Sequence, residues 1–214
     1  EKLDDFELGW RFKTSNLQAQ TNVYWMEYKD QLVLTGAIDE VGAPIRQNVG
    51  KSRRIGIELD FKVRLNSNWL WQPNIAISSN QNLDFYFKRD GVLKDLGKTQ
   101  LAYSPKFVGG SAIVFSPSTG VQIGFLSKYV SRQYMGNIDS ENSTLDAYFV
   151  NDLNAVFTWN PNKWLSEIQW SFIINNIFNI KYESNGYFYT YDDDFSTPGQ
   201  VKTIEGAGYY PQAG

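Results

Sequence analysis

Asp192-Asp193-Asp194 is the sharpest acidic cluster in this 214-residue chain, and consecutive carboxylates can hold Ca²⁺ through hard oxygen ligands. No spaced ligand loop with a central glycine surrounds it, so a solvated acidic loop is the simpler reading and no metal is expected. Lys51, Arg53 and Arg54 could hold an anionic substrate or acidic lipid headgroups; ordinary solvated charges fit as well. Arg54, Glu58, Asp60, Lys62 and Arg64 could be a catalytic or transport constellation, or a polar wall pairing with itself, with water or with another domain. Histidine and cysteine are both absent, which removes the usual general base, the thiol nucleophile and the commonest transition-metal ligand. No paired carboxylate spacing replaces them, so no enzyme activity is expected. Gly206-Ala207-Gly208 is too short and isolated to cradle a phosphate, and no cofactor is expected. Asn142-Ser143-Thr144 fits a glycosylation sequon and carries no weight alone. The Tyr-rich segment with Tyr182, Asn185, Tyr187, Tyr189 and Tyr191 is the most plausible contact surface, because Tyr buries area at low entropic cost and keeps a polar handle. An aromatic rim at a membrane interface would use the same residues.

The elements that must position these residues are β-strands. In the run from Tyr148, residues Phe149, Leu153, Ala155, Phe157 and Trp159 alternate with Val150, Asp152, Asn154 and Thr158. After the polar turn Asn160-Pro161-Asn162-Lys163, Ile168, Trp170, Phe172 and Ile174 alternate with Glu167, Gln169, Ser171 and Asn175. A period of two with one apolar face is the strand signal. The same pattern predicts strands over Asp4–Lys13, Leu17–Gln31, Gln47–Leu65, Trp69–Asn80, Ser104–Ser116 and Val121–Tyr134, eight in all. Ile55, Ile57, Leu59, Phe61 and Val63 oppose the charged set from Arg54 to Arg64. Pro73 lacks a donor and predicts a bulge or local distortion, and Val108-Gly109-Gly110 leaves the faces of its strand unassigned. Loops are expected over Thr35–Arg46, Leu83–Ala102 and Met135–Asp146, with a last polar segment over Lys181–Gly208.

Strands of about a dozen residues exceed the usual 5–6 and suffice to cross a bilayer at a tilt. Connections alternate short and long, with short turns near residues 15, 67, 118 and 161. Five of the seven tryptophans (10, 69, 71, 159 and 164) lie near those turns, where one interfacial girdle of an outer-membrane barrel would sit. Aromatics at 16% with a mean hydropathy of −0.40 suit strands that are only half apolar. No apolar run reaches the length of a transmembrane helix, and a net charge of −3 gives no reason to expect a nucleic-acid partner. No signal-peptide pattern opens the chain at Glu1-Lys2-Leu3-Asp4, so a mature, trimmed or partial chain is expected.

The words of the last hairpin also carry a resemblance. Asn175-Asn176-Ile177-Phe178-Asn179, followed by Lys181-Tyr182 and Asn185-Gly186-Tyr187, resembles the closing segment of TonB-dependent outer-membrane receptors. Lys128-Tyr129-Val130, Gln133-Tyr134 and Leu145-Asp146-Ala147-Tyr148 match the stretch before it, and Gly208 to Gly214 resembles the lead-in to the family's final strand. The resemblance implies an all-β, antiparallel transmembrane barrel, with residues 1–214 as about eight long strands of a barrel of about 22. It further implies outer-membrane lipid, the receptor's own plug domain and remaining strands, and TonB as partners, and import of a scarce nutrient (iron chelate, cobalamin, glycan or peptide). Residues 54 to 64 of the charged set would then line the lumen. Two other readings stay open: a complete eight-stranded outer-membrane protein, which the ending Pro211-Gln212-Ala213-Gly214 argues against, and a soluble β-rich glycan-binding module.

Overall fold

The computed structural model describes residues 1–39, 41–161 and 166–212. The strands in chain order are β1 (Lys2–Lys13), β2 (Leu17–Ile38), β3 (Pro44–Arg64), β4 (Trp69–Arg89), β5 (Val92–Gln100), β6 (Phe107–Ser118) and β7 (Val121–Val130). Two short strands follow, β8 (Gln133–Tyr134) and β9 (Thr144–Leu145), with a 3₁₀ turn at Glu141–Ser143 between them. The chain ends in β10 (Tyr148–Trp159), β11 (Ile168–Ile174), β12 (Tyr182–Asp193) and β13 (Lys202–Gln212). All eight expected strands are present as β1, β2, β3, β4, β6, β7, β10 and β11, joined in one antiparallel sheet. Asn162 and Lys163 of the expected last turn, and Trp164 beside it, lie outside the described residues.

The register turns the alternation of each strand into a continuous band. Phe6 faces Trp25, Leu8 faces Val23, Val23 faces Ile57 and Ile57 faces Ile77. The band continues through Trp71 opposite Ile113, Ile113 opposite Phe125, Ala155 opposite Phe172 and Phe157 opposite Trp170. Directly opposed residues share a face, so the apolar side chains of eight strands form one surface. That surface is bare: Phe6 is 69% exposed, Leu8 75% and Phe172 63%. On β3 it runs from Ile55 to Val63, about 27 Å along the strand at 3.4 Å per residue. Tilted by 35–45° it would stand about 20 Å tall, close to the belt of an outer-membrane barrel. At its upper end the same face turns charged, where Arg53 Nε donates to Glu27 Oε1 at 2.6 Å and the Trp25 indole N–H donates to the same oxygen at 3.0 Å.

Met135–Asp146 is mostly loop, as expected, but Thr35–Arg46, Leu83–Ala102 and the last segment Lys181–Gly208 are largely strand. β2 and β3 continue past the expected boundaries to Ile38 and back from Pro44, and between them the amides of Val41 and Ala43 donate to Asp39 Oδ1. Residues 83–102 hold the end of β4 and all of β5, joined at Asp90-Gly91 with both residues at positive φ, the twist of a two-residue hairpin. Lys181–Gly208 is mostly the β12–β13 hairpin. Pro73 makes no bulge: it faces Ser111 in unbroken register with β6, and the ladder to β3 skips the pairs around it because it has no N–H to give. The strand that sequence left unassigned places Gly109 on the apolar face, against the Phe107 ring, and Gly110 on the polar face beneath Asn74.

A separate small core sits where the strands outrun the apolar band. Val33, Phe85, Phe87, Leu101 and Ile138 are buried together, with Leu96 and Phe188 packed against them. Each such side chain stabilises the cluster by roughly 1.5–3 kcal/mol. The core therefore binds the ends of β2 and β4 to β5, to residues 135–143 and to β12.

Candidate ligand-receiving loop cluster

The five charged residues of β3 do share the polar face of the sheet. Glu58 stands opposite Asn22 and Ala76, Asp60 opposite Gln20 and Asn74, and Lys62 opposite Gln18. Glu58, Asp60, Lys62 and Arg64 are exposed there, and Arg64 faces Leu70. Arg54 is half-buried, with its guanidinium 5.4 Å from the centre of the Tyr28 ring and its Nε buried without a hydrogen-bond partner. No ion pair joins any two of the five among the described residues, so they form a spread polar surface rather than a constellation. Lys51, Arg53 and Arg54 do not form an anion cradle either: Arg53 lies on the apolar face with Glu27 and over Trp25, and Arg54 points the other way.

The tyrosines of β12 separate into two groups. Tyr187, Tyr189 and Tyr191 fall on one face of the strand and form a ladder, with ring centroids 6.3 and 6.5 Å apart and planes within 18° and 15° of parallel. Tyr210 of β13 extends it, 6.0 Å from Tyr187. The rings lean across the hairpin over Gly206 and Gly208, where a Cβ would run into the Tyr189 and Tyr187 rings. Glycine at those two positions is what lets the rings lie there. Tyr187 and Tyr191 are 50% and 41% exposed. Tyr182 stands apart, packed on Tyr148 with centroids 4.5 Å apart, and a register shift between Glu183 and Asn185 breaks it from the ladder. Asn185 is exposed beside the ladder, and its side-chain oxygen accepts from the Gly186 N–H.

The opposite face of β12 is an anchor. Phe188 enters the small core, Thr190 is buried against the end of β2, and Gly186 is buried against Met135 and the Gly208 carbonyl. The Tyr103 hydroxyl donates to the Gly186 carbonyl at 2.8 Å. Residues 135–143 tie the neighbouring hairpins together: the buried Asn137 donates to the Leu34 carbonyl and accepts from the Ala102 N–H, both at 2.8 Å. Asp139 accepts from the Gln100 N–H at 2.8 Å, and burial pushes its carboxyl above the usual range.

Glu205 of β13 is the hub. Its carboxylate pairs with Arg89 at the tip of the β4–β5 hairpin and accepts from Ser140 and from Asn142. Desolvation pushes its pKa up, but the hydrogen bonds from Ser140 and Asn142 and the Arg89 charge outweigh it and hold the group below the usual carboxylate range. Asp192 and Asp193 are likewise engaged. Asp192 pairs with Lys88 at 3.3 Å and accepts from Thr203, while Asp193 accepts from the amides of Phe195 and Ser196. The acidic run therefore works as turn and ion-pair chemistry, and no three potential metal ligands converge among the described residues. Arg89, Asn137, Ser140 and Glu205 carry no local sequence signal, and Asn142 reads only as a sequon, because each meets its partner across a long separation. Asp90-Gly91 was the readable signal that residues 83–102 form a hairpin.

An open cleft of about 370 Å³ lies where Tyr191 ends the ladder, lined by Ile38, Ile45, Leu93, Tyr86 and the Lys88–Asp192 pair.

The family described as TonB-dependent receptor-like, beta-barrel matches residues 1–180. The pesticin receptor of Yersinia enterocolitica is 23% identical over 189 residues, covering 87% of this chain and 26% of that receptor. Among solved structures, the ferric yersiniabactin uptake receptor FyuA from Yersinia pestis superposes with a TM-score of 0.64 at 16% identity, over 98% of this chain and 28% of its own. The siderophore receptor PiuA from Acinetobacter baumannii gives 0.65 at 18%, over 97% and 27%. The chain thus spans about a quarter of the length of the curated relatives it matches.

Proposed function

The chain belongs to the TonB-dependent receptor-like β-barrel family, and on that premise we propose that residues 1–214 are the C-terminal portion of an outer-membrane nutrient importer. Eight of its strands would form part of the wall of a barrel of about 22. One observation carries this reading: the apolar side chains of the eight strands make one band, exposed on seven of them and half-buried between neighbours on β3, ended above by the Glu27–Arg53 pair. A water-soluble sheet would bury that face, whereas lipid covers it at no cost in unpaired polar groups.

The rest follows from the two faces and the upper end. Arg54, Glu58, Asp60, Lys62 and Arg64 face the lumen, where water and the plug domain solvate them. The loop cluster with its tyrosine ladder receives the nutrient, and energy reaches the barrel through a plug pulled by TonB. The relatives named for siderophore or ferric chelate uptake favour a transport cargo. These 214 residues hold no cysteine, so an introduced thiol is unique within them. A fluorophore placed through Ile57→Cys in the complete receptor should be quenched by brominated lipid, and one at Glu58→Cys should not. Equal quenching at both positions would overturn the wall assignment.

A further inference from the structure

The geometry points to the tyrosine face of the β12–β13 hairpin as a docking surface for an extended cationic peptide segment, with alternate guanidinium groups lying against Tyr187, Tyr189 and Tyr191. This rests on the reading that the loop cluster receives cargo, and it names the class of ligand. The first support is spacing. Successive rings are 6.3 and 6.5 Å apart, close to the repeat of about 6.6–6.8 Å between alternate side chains of an extended chain. A peptide laid along β12 would therefore keep step with the ladder for all three rungs. The rings are nearly parallel, so each offers the same π surface to a planar group.

The second support is charge. The hairpin Tyr182–Gln212 carries five carboxylates against the single Lys202, a net charge of −4 in a chain whose total is −3. Lys88 and Arg89 neutralise Asp192 and Glu205, which leaves Glu183, Asp193 and Asp194 in excess over Lys202. The negative faces of Tyr rings attract cations, and a guanidinium stacks on them while keeping its edge free for a carboxylate. The Arg–aromatic pairs among the described residues use Trp25, Tyr28, Phe87 and Tyr134, so none of the chain's own arginines covers the ladder. An anionic chelate would meet the wrong sign of field on this face.

The test uses the complete receptor in detergent and a fluorescent octapeptide of alternating Arg and Ser. Its counterpart carries citrulline, which has the shape of Arg without the charge. The arginine peptide should bind at least about 10-fold more tightly than the citrulline peptide, because three cation–π contacts act together. Replacing Tyr187, Tyr189 and Tyr191 together by Leu should remove that preference, and replacing them by Phe should keep it. The preference should also shrink as salt rises from about 0.05 to 0.3 M. Equal binding of the two peptides, no binding of the arginine peptide, or an unchanged preference in the Leu variant would each overturn the assignment. So would tight, Tyr-dependent binding of a neutral oligosaccharide in place of the peptide. Failure of the cargo-receiving reading looks different: the native nutrient would still enter at full rate after Asn185–Asp194 is deleted. Retained thermal unfolding of the Leu and Phe variants shows that folding is not the cause of any change.

Discussion

Asp90 and Thr203, 113 residues apart, clasp each other at the tips of two hairpins. The Asp90 N–H donates to Thr203 Oγ1 at 2.7 Å, and the Thr203 N–H donates back to Asp90 Oδ1 at 3.0 Å. Thr203 also donates from its hydroxyl to Asp192 at 2.9 Å, and two residues further on Glu205 takes Arg89. The β4–β5 and β12–β13 hairpins are thus locked tip to tip. The face that carries the tyrosines is held in place from behind.

This clasp gives a pH dependence with a definite sign. The folded pKa of Glu205 lies below its ordinary value, so its contribution to the clasp is complete above the unfolded carboxylate pKa of about 4.3. It is lost as pH falls from there through the lower folded value. Asp139 acts in the opposite sense: burial raises its pKa, so its cost is present at neutral pH and is relieved on acidification. Amide protection factors at residues 89–92 and 202–205 should fall below about pH 4 while the core strands stay protected. Glu205→Gln should show fast exchange already at neutral pH. Protection factors at these amides that change neither with pH nor with Glu205→Gln would remove Glu205 from the clasp.

Close packing behind the ladder predicts an asymmetry between two glycines. A Cβ on Gly186 would strike the Gly208 carbonyl and lie 2.5 Å from Met135 Sδ, so backbone or core must move. A Cβ on Gly9 would meet only ordinary contacts at 3.8 Å. Gly186→Ala should destabilise the hairpin by about 1–3 kcal/mol, the usual range for overpacking, and Gly9→Ala should be tolerated. Local unfolding free energies from amide exchange on the two variants decide it, and equal effects would count against the packing described.

Deleting Asn185–Asp194 removes the ladder and also withdraws Phe188 from the small core. Uptake of the native nutrient should fall sharply, while the band of apolar residues that seats the barrel in lipid is untouched. Insertion measured by surface labelling should therefore stay near the level of the unaltered receptor. A loss of insertion with uptake per inserted molecule unchanged would reverse the roles assigned to loop and wall.

The eight membrane-crossing strands were legible because each face of each strand lies in one environment, so side-chain type alternates without exception over long runs such as Ile55–Val63. Legibility failed above the membrane band. There Phe85, Phe87 and Phe188 turn inward to a small core shared by several hairpins, while charged and glycine residues around them read as loop. Composition marks the tyrosines, but only proximity in sequence groups Tyr182 with them. The register shift at Glu183–Asn185 that separates it has no local signature. Glu205 was invisible for a different reason: a lone glutamate acquires meaning only from Arg89, Ser140 and Asn142 folding onto it.

The wall assignment is tested most directly at two neighbours on β3. Ile57 lies between Val23 and Ile77 on the apolar face, and Glu58 between Asn22 and Ala76 on the polar one. The measurement is the folding free energy of the complete receptor in lipid vesicles of two thicknesses. Ile57→Arg should cost about 2–4 kcal/mol, as a charge facing lipid near the bilayer midplane does, and the cost should change with thickness. Ile57→Ser should cost less than Ile57→Arg, and Glu58→Arg should have little effect in either bilayer. Equal costs for Ile57→Arg and Glu58→Arg, independent of bilayer thickness, would contradict the assignment of these faces and with it the membrane-spanning wall.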